Sequence, residues 1–110
     1  MSRYVFDLDG TLCSNTDGEY RDATPLVTRI VVVNNLYRDG HHIVISTARG
    51  MGRSNNDQEA AKSTWYEFTT EQLAKWGVLY HELHLGKPAG DFYIDDKAIS
   101  DLEFFNQFNP

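Results

Sequence analysis

Cysteine occurs once in this chain, at Cys13, so no internal disulfide can form. A single thiol fits a reducing compartment. Apolar runs are short. None approaches the length of a membrane span, and no apolar signal core follows Met1. The expectation is a cytoplasmic chain with no membrane partner. Repeats, low-complexity tracts and linkers are also lacking, so residues 1–110 read as one domain. Basic residues are outnumbered, with 10 Lys and Arg against 16 Asp and Glu and a net charge of −6. A nucleic-acid surface needs a basic face, so the charge balance argues against that partner. A local basic patch for a small phosphorylated substrate remains compatible with it. What the chain does have is core material: 41% of its residues are hydrophobic and 13% aromatic, which excludes a disordered polymer.

Hydrophobic patterning gives alternating strands and helices. Arg3–Phe6 reads as a first strand and Leu12–Thr24 as a polar loop. Thr24-Pro25 carries helix-start signals, with Thr24 as cap and Pro25 at the first helical position. Leu26, Ile30, Val33 and Tyr37 follow at helical spacing, and Gly40 stands where a C-terminal glycine belongs. The β-branched run Ile30–Val33 favours a strand; it lacks alternation, and the end signals decide for helix. His42–Thr47 is a second, doubly covered strand. A helix follows within Gln58–Trp76, with Trp65, Phe68, Leu73 and Trp76 as core-facing residues. A break at Thr69-Thr70 is expected, with Thr69 and Gln72 as a second capping pair. Glu82–Leu85 and Phe92–Ile94 read as short strands. Ser100 and Glu103 form a capping box for a last helix. The order implies an α/β, Rossmann-like fold, with a mostly parallel sheet flanked by helices. The segment Gly86–Asp91 is too short to connect parallel neighbours, which takes about a dozen residues. Sequence leaves the placement of Glu82–Leu85 open.

Chemistry-bearing residues fall at the strand ends, where open α/β sheets keep their sites. Asp7 and Asp9, in Asp7-Leu8-Asp9-Gly10-Thr11, leave the first strand. Thr47 closes the second and is followed by Ala48-Arg49. Lys87 lies in Gly86-Lys87-Pro88, and Asp95-Asp96 close Phe92-Tyr93-Ile94. Converging carboxylates repel one another in their charged forms. One lysine cannot balance four of them, whereas a Mg²⁺ ion with all-oxygen ligation can.

This series, in this order and spanning residues 4 to 96, resembles the four motifs of the haloacid dehalogenase-like (HAD) phosphatases. It is most similar to small stand-alone members, some labelled capsule- or polysaccharide-biosynthesis phosphatases. The resemblance implies a phosphate-monoester hydrolase with a small phosphosugar-like substrate. Asp7 would be the nucleophile that forms an aspartyl-phosphate, and Asp9 the general acid and base. Thr47 would hydrogen-bond a phosphoryl oxygen, and Lys87 would neutralise charge. The metal would be held by Asp7, the carbonyl of Asp9, and the last motif, with Asp95 direct and Asp96 behind it. Family caps are inserted after the first or third strand. Leu12–Thr24 and Gly50–Asp57 are too short for that, so no cap domain is expected. An open site suits bulky substrates or a homo-oligomer whose neighbour supplies the lid.

Each residue also has a plainer role. Asp7 and Asp9 could form a turn, Thr47 could cap a helix, Lys87 could be a solvated loop lysine, and Asp95 or Asp96 could cap the last segment. Their joint order lifts them above those roles. Arg49 and Arg53 could hold the rest of an anionic substrate or lie on the surface. Cys13 has no partner base and reads as a bystander. His41, His42, His81 and His84 lack metal-ligand spacing. Two other functions compete: a nucleotide or nucleic-acid-end phosphatase, and a non-catalytic module that binds a phosphorylated ligand.

Overall fold

A computed structural model describes residues 1–52 and 54–108. Three strands form one parallel sheet in the order β1-β2-β3: β1 (Arg3–Phe6), β2 (His42–Thr47) and β3 (Glu82–Leu85). Helices α1 (Val27–Arg38) and α2 (Gln58–Lys75) make the crossovers, and α3 (Asp101–Asn106) follows. Glu82–Leu85 is thus a parallel neighbour of β2. Ile43, Val44 and Ile45 are all buried. Successive strand residues face opposite ways, so β2 is covered on both faces. The register sets Phe6 beside Ile45 and Ile45 beside Leu83, three members of one core cluster. Phe104 and Phe105 of α3 pack on Phe6, with ring centroids 5.6 and 6.1 Å away. Because the strands are parallel, their carboxyl ends open on one edge of the sheet. Among the described residues no inserted domain stands over that edge.

Helix ends follow local chemistry with two departures. Gly40 (φ +95°) and Gly77 (φ +73°) end α1 and α2 in the left-handed conformation that glycine adopts without strain. His41 N–H then donates to Leu36 C=O and Val78 N–H to Leu73 C=O, each at about 3 Å, closing both helices with the same motif. The start of α1 is later than Thr24-Pro25 suggests. Thr24 C=O accepts from Ser14 N–H (2.9 Å), and Leu26 N–H donates to Leu12 C=O (2.9 Å). The cap and proline are spent on an extended pairing with the preceding loop. The second departure is that α2 runs unbroken through Thr69-Thr70. Asp57 caps its start by accepting from Ala60 N–H (3.2 Å), and Ser100 caps α3 by accepting from Glu103 N–H (3.2 Å).

Phe92–Ile94 does not form a strand; it has no regular structure, and Phe92 is 85% and Ile94 97% exposed. Gly86–Asp91 is shorter than the dozen or so residues that a parallel crossover to the free edge of β1 takes, and the segment does not pair with the free edge of β3.

At the opposite edge of the sheet, Glu82 bridges the strands. It accepts from Arg3 (2.8 Å) and pairs with His42 (2.5 Å) and His84 (2.9 Å). The hydrogen bonds to His84 and then His42 lower its pKa from 4.5 to about 2. A depressed carboxyl stabilises the fold above its unfolded pKa and loses that contribution as pH falls through the folded value. Glu82→Gln is expected to lower Tm at neutral pH. The gap to wild type should close as pH drops from about 4.5 to about 2, which melting curves across that window would check.

Candidate active site

The chain turns sharply as it leaves β1. Leu8 C=O accepts from Thr11, Leu12 and Cys13 N–H groups at 3.0, 2.8 and 3.3 Å. That turn leaves Asp7 half-open at the strand end. Thr11 Oγ1 donates to Asp7 Oδ2 (3.1 Å), and Lys87 Nζ stands 3.4 Å from Asp7 Oδ1. Lys87 is fixed twice more. Its N–H donates to Thr47 C=O (3.2 Å), and its ammonium lies 4.2 Å from the ring centre of Tyr93. The Tyr93 hydroxyl donates to Pro88 C=O (2.7 Å) and accepts from Gly90 N–H (3.1 Å). Thr47, Asp7 and Asp9 border one cavity of about 340 Å³, with Tyr20 and Tyr93 at its walls.

Arg49 is the surprise. Its side chain is 0% exposed. Nε donates to Asp9 Oδ2 (2.9 Å) and Nη2 to Asp9 Oδ1 (3.0 Å), a bidentate pair. Nη1 donates to Gln72 Oε1 (2.7 Å) and Thr69 Oγ1 (3.3 Å). The guanidinium lies 4.9 Å from the Tyr20 ring centre. Its donors are taken by these partners, so Arg49, which is among the residues lining the cavity, is placed to hold Asp9. Thr69 and Gln72 are not a cap; one helical turn apart on one face of α2, they form the seat for this guanidinium.

The flap before α1 is pinned to the same centre. It contains a single 3₁₀ turn, Tyr20–Asp22. Tyr20 hydroxyl accepts from Gly50 N–H (2.9 Å), and Tyr20 C=O accepts from Gln72 Nε2 (2.9 Å). Trp65 packs edge-on against Tyr20 at 4.7 Å. Of the aromatic stripe on α2, Leu73 is in the core and Trp76 packs against it, while Trp65 and Phe68 buttress the flap. Cys13 is buried beside Asp9; burial, with the Asp9 charge adding, pushes its thiol up to about 12. It is no nucleophile at neutral pH.

No protein-family model and no curated protein matches the sequence. Solved structures do match. A crystallised target protein from Vibrio cholerae is 36% identical, with a TM-score of 0.86 over 94% of this chain and 87% of that one. The present chain belongs to that protein's family. A D,D-heptose 1.7-bisphosphate phosphatase from B. bronchiseptica, crystallised with magnesium and phosphate, superposes with a TM-score of 0.55 at 20% identity. The match covers 89% of this chain and 54% of that one. A chain of the Pnkp1/Rnl/Hen1 complex gives 0.58 at 19% identity, covering 96% and 34%. The fold is HAD-like.

Within this HAD-like core, the ends of β1 and β2 border the cavity, Lys87 after β3 reaches Asp7, and the fourth motif stands apart. Asp95 and Asp96 are exposed and lie outside the residues lining the cavity. Lys97 N–H donates to Asp95 Oδ1 (3.0 Å). That bond, with one from Asp96, holds the Asp95 carboxyl below the usual range. Asp95 thus holds a local turn, while the last helix is capped by Ser100 and not by the acidic pair. Among the described residues, no group of three or more His, Cys, Asp or Glu side chains is gathered for a metal ion. Arg53 lies outside the described residues. Sequence reasoning passes over Tyr20 and Tyr93 as site residues, and it pairs Thr69 with Gln72 but as a helix cap. Only that pair left a signal, an i, i+3 polar pair within an otherwise amphipathic stripe.

Proposed function

We propose that this protein is a Mg²⁺-dependent phosphatase acting on a phosphate monoester of a small metabolite through an aspartyl-phosphate on Asp7. The observation that carries this reading is the contrast between the two carboxylates. Asp9 is locked by Arg49. Asp7 is open to the cavity and flanked by an ammonium and a hydroxyl. An Asp7 oxygen attacks phosphorus, and the bond to the ester oxygen breaks in line. Lys87 offsets charge on the transferring group, and Thr47 donates to one of its oxygens. Water then attacks phosphorus, the bond to Asp7 breaks, and inorganic phosphate leaves. Asp9, held as an acceptor at both oxygens, is placed to take the proton of that water. To protonate a poor leaving group in the first step it must turn one oxygen away from Arg49.

The donor set suits a hard cation in part. Mg²⁺ binds through one or two carboxylates plus phosphate and water, and Asp7 with the carbonyl of Asp9 would hold it. Bound there, the ion supplies charge neutralisation at the phosphoryl oxygens. Among the described residues no cap stands over the site, and the net charge of −6 favours a small substrate over nucleic acid.

The test is hydrolysis of p-nitrophenyl phosphate with and without Mg²⁺, comparing wild type with Asp7→Asn. Wild type is expected to need Mg²⁺, and the variant to lose on the order of 10³-fold or more. Full activity in Asp7→Asn, or no hydrolysis of any phosphate monoester by wild type, would overturn the reading.

A further inference from the structure

In the segment after Lys87, Phe92–Ile94 has the composition of a strand and joins none. Among the described residues, Phe92, Tyr93 and Ile94 have no backbone hydrogen-bond partner. All three side chains are exposed, Tyr93 (51%) less than its two neighbours. Tyr93 turns home, its hydroxyl on Pro88 and its ring under Lys87. Phe92 (85% exposed) and Ile94 (97%) point out together. Yet Phe-Tyr-Ile has strong strand propensity.

The sheet has a matching vacancy. β1 is an edge strand whose one neighbour is β2, and Val5 on it is 63% exposed. An apolar free edge invites strand addition. The chain's own segment cannot fill it as a parallel strand, because Gly86–Asp91 is too short for the crossover. A second copy is under no such limit.

We propose that two copies exchange this arm, Phe92–Ile94 of each adding as a parallel strand to the free edge of the other's β1. The exchange is reciprocal, so the dimer closes with two-fold symmetry. Parallel pairing has a chemical consequence. Each strand is followed at once by an aspartate: Phe6 by Asp7, and Ile94 by Asp95. Neighbouring strands lie about 5 Å apart, so the partner's Asp95 and Asp96 arrive beside Asp7. Antiparallel pairing would carry them to the far end of β1. The acidic pair missing from each cavity is then supplied in trans, which rests on the phosphatase reading above; the dimer itself does not.

Two measurements decide it. Sedimentation equilibrium is expected to give twice the chain mass for wild type, and the chain mass for Phe92→Lys/Ile94→Lys with unchanged far-UV circular dichroism. A monomeric wild type, or a double variant that stays dimeric, overturns the exchange. The second is complementation. Asp7→Asn and Asp95→Asn/Asp96→Asn, each inactive alone, are unfolded, mixed in equal amounts and refolded together. Exchange predicts recovery of about a quarter of wild-type phosphatase activity. Half of the dimers are mixed, and each of those has one site with both motifs intact. No recovery means that the acidic pair does not act across the dimer and overturns the trans site. If wild type has no phosphatase activity, the functional reading fails alone, and the mass measurement still decides the interface.

Discussion

Arg49→Met is expected to cost about 3–5 kcal/mol of stability, because it strips a buried ion pair of one partner. Asp9 is only 17% exposed on its side chain, so water in the cavity replaces the lost guanidinium only in part. Gln72 and Thr69 lose their donor at the same time. For a chain of this size Tm should fall by more than about 10 °C. Asp9→Asn is destabilising for the mirror reason, leaving a buried guanidinium half-satisfied. The double variant Asp9→Asn/Arg49→Met should lose less than the sum of the two, by about 2 kcal/mol, since the residues are in direct contact. Thermal melts of the four proteins measure that coupling. Activity separates this role from substrate binding. A substrate-holding arginine would raise KM and spare kcat. Arg49 as the residue that positions Asp9 should lower kcat in each variant, and the double variant should recover stability without recovering rate. Arg49→Lys should behave like the loss, because one ammonium cannot replace a fork that serves Asp9 and Gln72 together.

The difference between Arg49 as expected and Arg49 as found shows what a sequence can carry. Local rules held where the cause is local. The apolar runs at β1 and β2, the glycines at 40 and 77 and the Ser100 cap depend on a residue and its near neighbours. The strand-end motifs were legible because a parallel sheet aligns all its carboxyl ends. Asp7, Asp9 and Thr47 therefore border one cavity, and Lys87 reaches Asp7 from the end of β3. What failed depends on pairs distant in sequence. Arg49 and Gln72 meet only when α2 lies against the loop after β2, and nothing local marks an arginine as buried. Thr24-Pro25 has every mark of a helix start, but its backbone is drawn into pairing with Leu12 and Ser14. Phe92–Ile94 has the composition of a strand, but its link from β3 is too short for a usual parallel crossover to β1. The shortness of Gly86–Asp91, visible in the sequence, was the clue to that outcome. It was set against Glu82–Leu85, whereas the strand it disqualifies is the one that follows.

Lys87→Met is expected to lower kcat/KM by 10²–10³-fold, roughly 3–4 kcal/mol of transition-state stabilisation, with Tm close to wild type. The asymmetry with Arg49 follows from burial. Lys87 keeps 23% of its side chain exposed and Asp7 37%, so losing their 3.4 Å pair leaves no charge stranded in the interior. Pairs this open contribute about 1 kcal/mol or less to folding. In the proposed reaction the same ammonium would face charge that grows as phosphorus is transferred, and there a preplaced cation acts with little reorganisation. Its placement is the work of Tyr93, whose ring lies under the ammonium while its hydroxyl clamps Pro88 and Gly90. Tyr93→Phe keeps the ring and loses the clamp; Tyr93→Ala loses both. Rates should therefore fall in the order wild type, Tyr93→Phe, Tyr93→Ala, Lys87→Met, while the melting temperatures of the first and last stay together. A Lys87→Met protein that melts far below wild type would mean that this lysine holds the fold, and its effect on rate would then say nothing about the transition state.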